Sequence, residues 1–363
     1  MTIFQDSFWK RMGLQESDRA ICIDAVKRRY GRHYVEEFKY QGYCSFTLLV
    51  SWPEEQTRVG IETTKDAGAP ASVIVQLRPA QHALDHDVAR EASRTHPSLV
   101  PEVRALDICM PGKLCAYELS RLPGTPLSRL LQHELTSGIE LRAKQETLVK
   151  SFARIIAQGW PSVASKKRRD SVLRPDSPSM EEQGILSLCT GKVGSCIAQK
   201  LQKLARELPD QWLRERADAT LEKLRLLDDY PVVLNHGDLI PSNILVKEET
   251  WEITGLVDWA EAERLPFGSC LYGLEHILGF LRESSKPTFV YYDHAAQLRQ
   301  LFWTTLIRVV PGITERQDEV QVMRDVGALL WHGFAWDEGA IDRVINEVND
   351  GEELAKLRAF LSF

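Results

Sequence analysis

Twelve residues constrain this 363-residue chain more than any others: Asn235-His236-Gly237-Asp238-Leu239-Ile240-Pro241-Ser242-Asn243-Ile244-Leu245-Val246. After a polar interval they are followed by Ile253-Thr254-Gly255-Leu256-Val257-Asp258-Trp259. Pro231-Val232-Val233-Leu234 reads as a short buried strand leading in, and Ile244-Leu245-Val246 with 253–257 reads as a hairpin. Asp238 and Asn243 then fall on a loop between strands and Asp258 at a strand end, where a rigid scaffold places reactive groups. An ordinary hairpin with Asx turns is the plain alternative, but it leaves the joint spacing of His-Gly-Asp, Asn and Asp to accident.

The three polar residues also suit one chemistry. Asp238 would orient an acceptor, Asn243 five residues on would offer a neutral oxygen to Mg2+, and Asp258 fifteen further would bridge Mg2+ to nucleotide phosphates. A polyanionic donor has to be neutralised by a hard cation, and hard cations take oxygen ligands.

The chain is too long for one ordinary core, so two lobes are expected. Apolar residues make up 44%, enough for most of the length to fold. A net charge of −6 argues against general nucleic-acid binding and is compatible with a cationic substrate. The cysteines (Cys22, Cys44, Cys109, Cys115, Cys189, Cys196, Cys270) are odd in number and form no C-x-x-C pair, which points to reduced thiols and a cytoplasmic setting. No apolar run is long enough for a membrane span, and the first ten residues lack a signal-peptide core.

Taken in order, Ser17 is placed to cap a helix through about Tyr30, with Ile21, Ala25 and Val26 on its buried face. Residues 38–52 read as strand, turn and strand, 53–70 as a loop or edge segment, and 72–78 as a third strand closed by Pro79. Residues 84–94 read as a helix, and 100–106 and 114–119 as two more strands. Leu122-Pro123-Gly124-Thr125-Pro126 breaks the pattern, and a lobe boundary is expected near 119–126. Beyond it, 148–160, 197–208, 212–224, 271–281, 291–309, 319–335 and 341–360 read as helices, with 161–186 a Ser/Pro-rich charged loop. Strands early and helices late make an α+β chain with two segregated lobes.

These motifs in this order resemble the aminoglycoside phosphotransferase and choline kinase branch of the protein-kinase-like fold. The likeness looks closest to the fungal aminoglycoside phosphotransferase-like proteins. Gln41-Gly42-Tyr43-Cys44-Ser45-Phe46-Thr47, Val75-Gln76-Leu77-Arg78-Pro79, Arg90-Glu91-Ala92, His236-Gly237-Asp238 with Asn243, and the segment from Val257-Asp258-Trp259 to Glu263 carry it. The resemblance implies a bilobal fold, with a β-rich N-lobe over 1–120 on the nucleotide side and a mostly helical C-lobe over 121–363. The C-lobe would hold a catalytic loop at 235–243 and a metal-binding segment at 253–259. It implies ATP and Mg2+ as cofactors and transfer of the γ-phosphate to a hydroxyl of a small molecule, with Asp238 as base and Asn243 and Asp258 as metal ligands. Residues 41–47, including Gly42, Tyr43 and Ser45, would lie over the nucleotide, and His236 would hold the loop backbone.

Two departures accompany the likeness. Strand three offers no Lys, so Arg78, or Gln76, would steady the phosphates with Glu91 behind; a solvated strand-end Arg78 is the other reading. Gly42 stands alone where protein kinases carry several glycines. Both departures motivate an alternative, a kinase-fold scaffold or pseudokinase that transfers nothing. Glu261, Glu263 and Glu275 would face the acceptor side and favour a cationic or polyhydroxylated acceptor, or else be plain surface and helix-start carboxylates. Gly191-Lys192-Val193-Gly194-Ser195 lacks P-loop spacing and reads as a turn into the next helix, and Lys166-Lys167-Arg168-Arg169 as a solvated charge run.

Overall fold

In the computed structural model the early β-rich stretch becomes a five-stranded antiparallel sheet. Its strands are Tyr34–Glu37 (β1), Phe46–Ser51 (β2), Ser72–Arg78 (β3), Val103–Leu106 (β4) and Cys115–Ser120 (β5), in spatial order β1-β2-β3-β5-β4. The structure describes residues 7–52, 72–131, 139–161, 184–282, 284–337 and 340–362. The chain divides into two compact units, Met1–Leu122 and Pro123–Phe363.

The first unit is built on β2 and β3, whose β-branched and aliphatic residues are paired on both edges. Leu48, Val50, Val75 and Leu77 are fully buried, packed in one core with Phe8, Trp9, Cys22 and Val26. Truncating Leu48 or Leu77 to Ala would cost about 2–5 kcal/mol. The register sets Phe46 opposite Leu77 and Arg78 opposite Cys115. Among the described residues three α-helices lie in this unit: Phe8–Arg11 (α1), Ser17–Tyr30 (α2) and His86–Thr95 (α3). Asp85 caps α3 by accepting the Asp87 and Val88 N–H groups at 2.8 and 3.1 Å, and α3 carries Glu91.

The second unit begins with Thr125–Pro126 (β6), Leu127–Leu131 (α4) and Ile139–Gln158 (α5), then Ile197–Glu207 (α6) and Gln211–Arg225 (α7). Apolar residues at helical spacing build α6 and α7: Ile197, Leu201 and Leu204 on one, Leu213, Ala217, Leu221 and Leu224 on the other are all buried. Four short strands follow, Val232–Asn235 (β7), Ile244–Val246 (β8), Ile253–Leu256 (β9) and Glu263–Pro266 (β10). They form two small sheets, β7 with β10 and β6-β8-β9. The chain ends with Tyr272–Ile277 (α8), Gly279–Arg282 (β11), Thr288–Tyr291 (β12), Ala295–Val309 (α9), Gln317–His332 (α10) and Gly351–Phe360 (α11).

Several local expectations are corrected. Glu16, not Ser17, is the α2 cap residue, and Ile21 is 50% exposed while neighbouring Cys22 is buried, so the inner face is turned by one residue. The first strand lies at Tyr34–Glu37, upstream of Phe38. The helix expected over 271–281 stops at Ile277, and Gly279–Arg282 pairs antiparallel with Thr288–Tyr291, setting Gly279 opposite Tyr291. The aromatic and β-branched run Thr288-Phe289-Val290-Tyr291 favours a pleated surface over a helix. Residues 341–350 are not helical: Asn346 accepts the N–H groups of Val348 and Asn349 at 3.0 and 2.9 Å, an Asx turn that competes with helix. The expected loop at 53–70, residues 162–183 of the loop expected at 161–186 and its basic run Lys166-Lys167-Arg168-Arg169 lie outside the described residues. Among the described residues no helix is long and apolar enough to cross a membrane.

Candidate active site

Two antiparallel pairs frame the 236–243 loop. On one side β7 pairs with β10, and on the other β8 pairs with β9. The Asn235 side chain donates to Val233 O and Leu265 O at 3.0 Å each, and its Oδ1 accepts the Cys270 N–H at 3.2 Å. This locks the loop's entry. The exit is locked by Val257 N–H, which donates to Asn243 O at 3.0 Å and brings the residue before Asp258 against Asn243.

Gly237 makes the turn possible. Its φ is +77°, and a Cβ there would sit 1.8 Å from Glu261 O, so no larger residue fits without moving the backbone. Next to it, His236 is buried and packs on Trp259 with ring centroids 4.5 Å apart. Its Nε2 lies 2.9 Å from Val257 O and its Nδ1 accepts the Asp238 N–H at 3.3 Å. The ring therefore carries its proton on Nε2 and ties the loop to the strand before Asp258.

Asp238 is partly exposed as a residue, but its carboxylate is divided. Oδ2 accepts from Asn243 Nδ2 at 2.8 Å, whereas Oδ1 is enclosed and has no hydrogen-bond partner. Burial, and then the negative charge of Asp258, push its pKa up to about 7, against the pull of the Asn243 bond; Glu261 adds a smaller upward push. Asn243 gives its other N–H to Asp238 O at 2.9 Å, so its amide oxygen is the group left for a ligand. Asp258 is exposed and left-handed, at φ 62° and ψ 65°, a conformation rare outside glycine and worth attention at a site.

This donor set fits a magnesium ion shared with phosphates. Mutually repelling carboxylates and an oriented amide oxygen are hard donors, and Mg2+ takes one or two protein carboxylates together with substrate oxygens. Among the described residues no group of three or more His, Cys, Asp or Glu is arranged to hold a metal by itself. The arrangement can thus bind a cation–polyanion pair beside an acid whose pKa suits proton transfer near neutral pH.

In the first unit Arg78 is only 3% exposed, which removes the solvated strand-end reading, and its Nε donates to Gln76 Oε1 at 3.1 Å. Gly42 has no positive φ; a Cβ there would meet only the Ser45 Oγ, at 3.0 Å. Ser45 is buried, with its Oγ 3.4 Å from the Thr47 Oγ1, and Tyr43 lies in the same loop.

Of the three acidic candidates on the acceptor side, two are engaged in structure. Glu275 is fully buried: Arg299 donates to it at 2.7 Å, Tyr291 Oη at 2.9 Å and Arg324 at 3.4 Å. Glu263 accepts the N–H groups of Val193 and Gly194 at 3.0 and 2.8 Å, so the Gly191-to-Ser195 turn is a backbone nest filled by an internal carboxylate. Glu261 is not held in this way: its side chain is 42% exposed, 3.9 Å from Lys192 Nζ. Sequence reasoning passes over Tyr272, whose hydroxyl accepts the Leu239 N–H at 3.0 Å directly behind Asp238. No sequence signal marks it, because it sits in an apolar stretch that reads as generic helix.

A β-rich unit, a mostly helical unit and this His-Gly-Asp, Asn and Asp constellation define a protein-kinase-like fold of α+β class. Over residues 55–267 the sequence matches the phosphotransferase enzyme family (APH), and the chain belongs to that family. No curated protein matches it. Among solved structures, it is similar to the GDP complex of a mutant aminoglycoside 2'-phosphotransferase-IIIa, at 12% identity and TM-score 0.54, covering 94% of this chain and 96% of that one. It is also similar to aminoglycoside-3'-phosphotransferase of type VIII, at 15% identity and TM-score 0.44, covering 85% of this chain and 99% of that one. A third is APH(3'')-Id from Streptomyces rimosus in complex with ADP and streptomycin, at 14% identity and TM-score 0.41, covering 85% and 98%. The first of these shows the fold; the lower scores of the other two add nothing to it.

Proposed function

We propose that this chain is an ATP- and Mg2+-dependent phosphotransferase that moves the γ-phosphoryl group of ATP to a hydroxyl of a small molecule. The observation that carries the reading is the divided Asp238 carboxylate. One oxygen is fixed by Asn243 and the other is enclosed without a partner, an expensive arrangement unless a ligand completes it.

Asp238 takes the acceptor's hydroxyl proton as the acceptor oxygen bonds to the γ-phosphorus and the bond to ADP breaks. The Asn243 amide oxygen and the Asp258 carboxylate are the residues that would hold Mg2+, which when bound neutralises the phosphate charge. His236 keeps the loop's backbone at the height Asp238 needs. Arg78, oriented by Gln76 and with Glu91 assigned as its partner, steadies the phosphates in place of a lysine. The 41–47 loop, with Gly42, Tyr43 and Ser45, covers the nucleotide. Glu261 is the carboxylate assigned to a cationic or polyhydroxylated acceptor, because it is partly open and its charge reaches Asp238; Glu263 and Glu275 take no part.

The second reading, a nucleotide-binding scaffold without transfer, is favoured by the arginine on β3 and by a loop whose lone glycine needs no special backbone. Incubating the protein with labelled ATP, Mg2+ and a metabolite library, with Asp238→Asn as the blank, separates the two. Labelled product absent from the blank supports transfer. Mg2+-dependent ATP binding without product in any pool supports the scaffold, and absence of binding defeats both.

A further inference from the structure

The β1–β2 loop is held at its base and its tip by side chains. At the base, Phe38 N–H donates to Thr47 O at 3.0 Å. The Gln41 amide then takes the place of a further ladder rung: Nε2 donates to Phe38 O and Thr47 O at 2.7 and 2.8 Å, and Oε1 accepts the Thr47 N–H at 2.8 Å. At the tip, Arg11 of α1 donates from Nη2 to Tyr43 O at 3.1 Å and lies over the Tyr43 ring, 4.6 Å from its centroid. Helix α1 is itself anchored, with Phe8 and Trp9 buried and their rings 6.2 and 4.9 Å from Phe46 at the start of β2.

A loop built on several glycines has the most conformational freedom to lose on ordering. This one carries one glycine and two braces. We propose that Arg11 is a positioning residue for nucleotide binding: from α1 it fixes the tip of the 41–45 loop, while Gln41 fixes the base, so that the loop meets the nucleotide already ordered. The inference rests on the assignment of residues 41–47 as the nucleotide loop. A loop ordered beforehand loses less conformational entropy on binding, and that difference is read in nucleotide affinity, not in the chemical step. The planar guanidinium makes both contacts at once, which an ammonium cannot reproduce in full.

The test uses the full chain with ATP, Mg2+ and an acceptor found in the screen above. Arg11→Ala is expected to raise the KM for ATP about tenfold, with kcat and the acceptor KM within about twofold of wild type, and Arg11→Lys to recover part of the loss. Gln41→Leu, which keeps the side chain's bulk and removes its three hydrogen bonds, should give the same split. Amide exchange at residues 42–45 should quicken in both variants. If Arg11→Ala does not fold, Arg11→Met keeps the packed stem, removes the guanidinium and is expected to raise the ATP KM in the same way. An unchanged ATP KM in a folded Arg11→Ala, or in Arg11→Met where that variant stands in, overturns the role of Arg11. In the wild type, ATP should shift the amide NMR signals of residues 42–45, which reports its proximity whether or not the loop is ordered beforehand. Shifted signals together with an unchanged KM in the Arg11 variant overturn this proposal alone, whereas signals that do not move overturn the loop assignment as well.

Discussion

Asp238 and Glu275 both keep carboxylate oxygens out of water, and the protein treats them in opposite ways. Around Glu275 both oxygens are satisfied by Arg299, Arg324 and Tyr291, and Arg324 is paired in turn with Asp325 at 2.6 Å. Around Asp238 one oxygen is satisfied, the other has nothing, and two further carboxylates push against it. A saturated acid is a structural joint. An acid left half-satisfied beside like charges is the arrangement on which the proposed phosphotransferase reading rests.

Substitution at the two acids should therefore separate activity from stability. Asp238→Asn is expected to lower kcat between about 100- and 10,000-fold, the range spanned by a positioned general base. Its thermal midpoint should equal or exceed that of the wild type, because the variant removes a poorly paired acid. Steady-state kinetics beside a melting curve checks both halves, and a clear loss of stability would make Asp238 a joint like Glu275.

At the other pole, Glu275→Ala should destabilise the fold by about 3–5 kcal/mol, since it removes the buried carboxylate on which Arg299, Arg324 and Tyr291 converge. Denaturant unfolding measures it. Activity per folded molecule at low temperature should stay near wild type; a variant that is stable but inactive would return Glu275 to the acceptor side.

The pH dependence of stability sharpens the same contrast. Asp238 titrates near 7 in the fold against 3.8 for a free carboxyl, raised by burial and by Asp258. A raised acid contributes stability that is full below the unfolded value and lost as pH climbs through the folded one. Without Mg2+, the wild type should therefore lose stability relative to Asp238→Asn between about pH 4 and 7, and Mg2+ with nucleotide should close the gap. Parallel melting curves for the two proteins across this range would show that Asp238 carries no unusual burden.

The contrast also explains what the sequence makes legible. His236-Gly237-Asp238, Asn243 and Asp258 stand out because their geometry is local: a glycine turn, an amide five residues on, and a hairpin that returns the chain. The sheet of the first unit is legible for a similar reason, since β2 and β3 announce themselves by unbroken aliphatic and β-branched runs. Glu275 misleads because its meaning is non-local. Its partners Arg299 and Arg324 lie 24 and 49 residues away, and a carboxylate soon after Asp258 looks the same in sequence whether it faces a ligand or two arginines. The Arg11 brace spans 32 residues and is silent for the same cause. Periodicity also fails at Gly279–Arg282 and Thr288–Tyr291, where paired strands and a helix share an apolar content and only the β-branched run decides.

The smallest expected effect tests how firmly the loop behind Asp238 is held. Tyr272 is buried, stacked on Trp331 at 5.3 Å with rings 8° from parallel, and its hydroxyl accepts the Leu239 N–H at 3.0 Å. Burial raises its pKa well above the usual phenol range, so it stays a neutral hydroxyl. Tyr272→Phe keeps the stacked ring and leaves the Leu239 N–H without its acceptor, which should cost about 1–3 kcal/mol of stability. The same loss should free the peptide next to Asp238 and lower kcat several-fold. Unfolding and kinetics on one preparation check the pair. A variant that loses stability but keeps kcat would mean that Asn243 and His236 alone set the height of Asp238, and that the loop needs no support from α8.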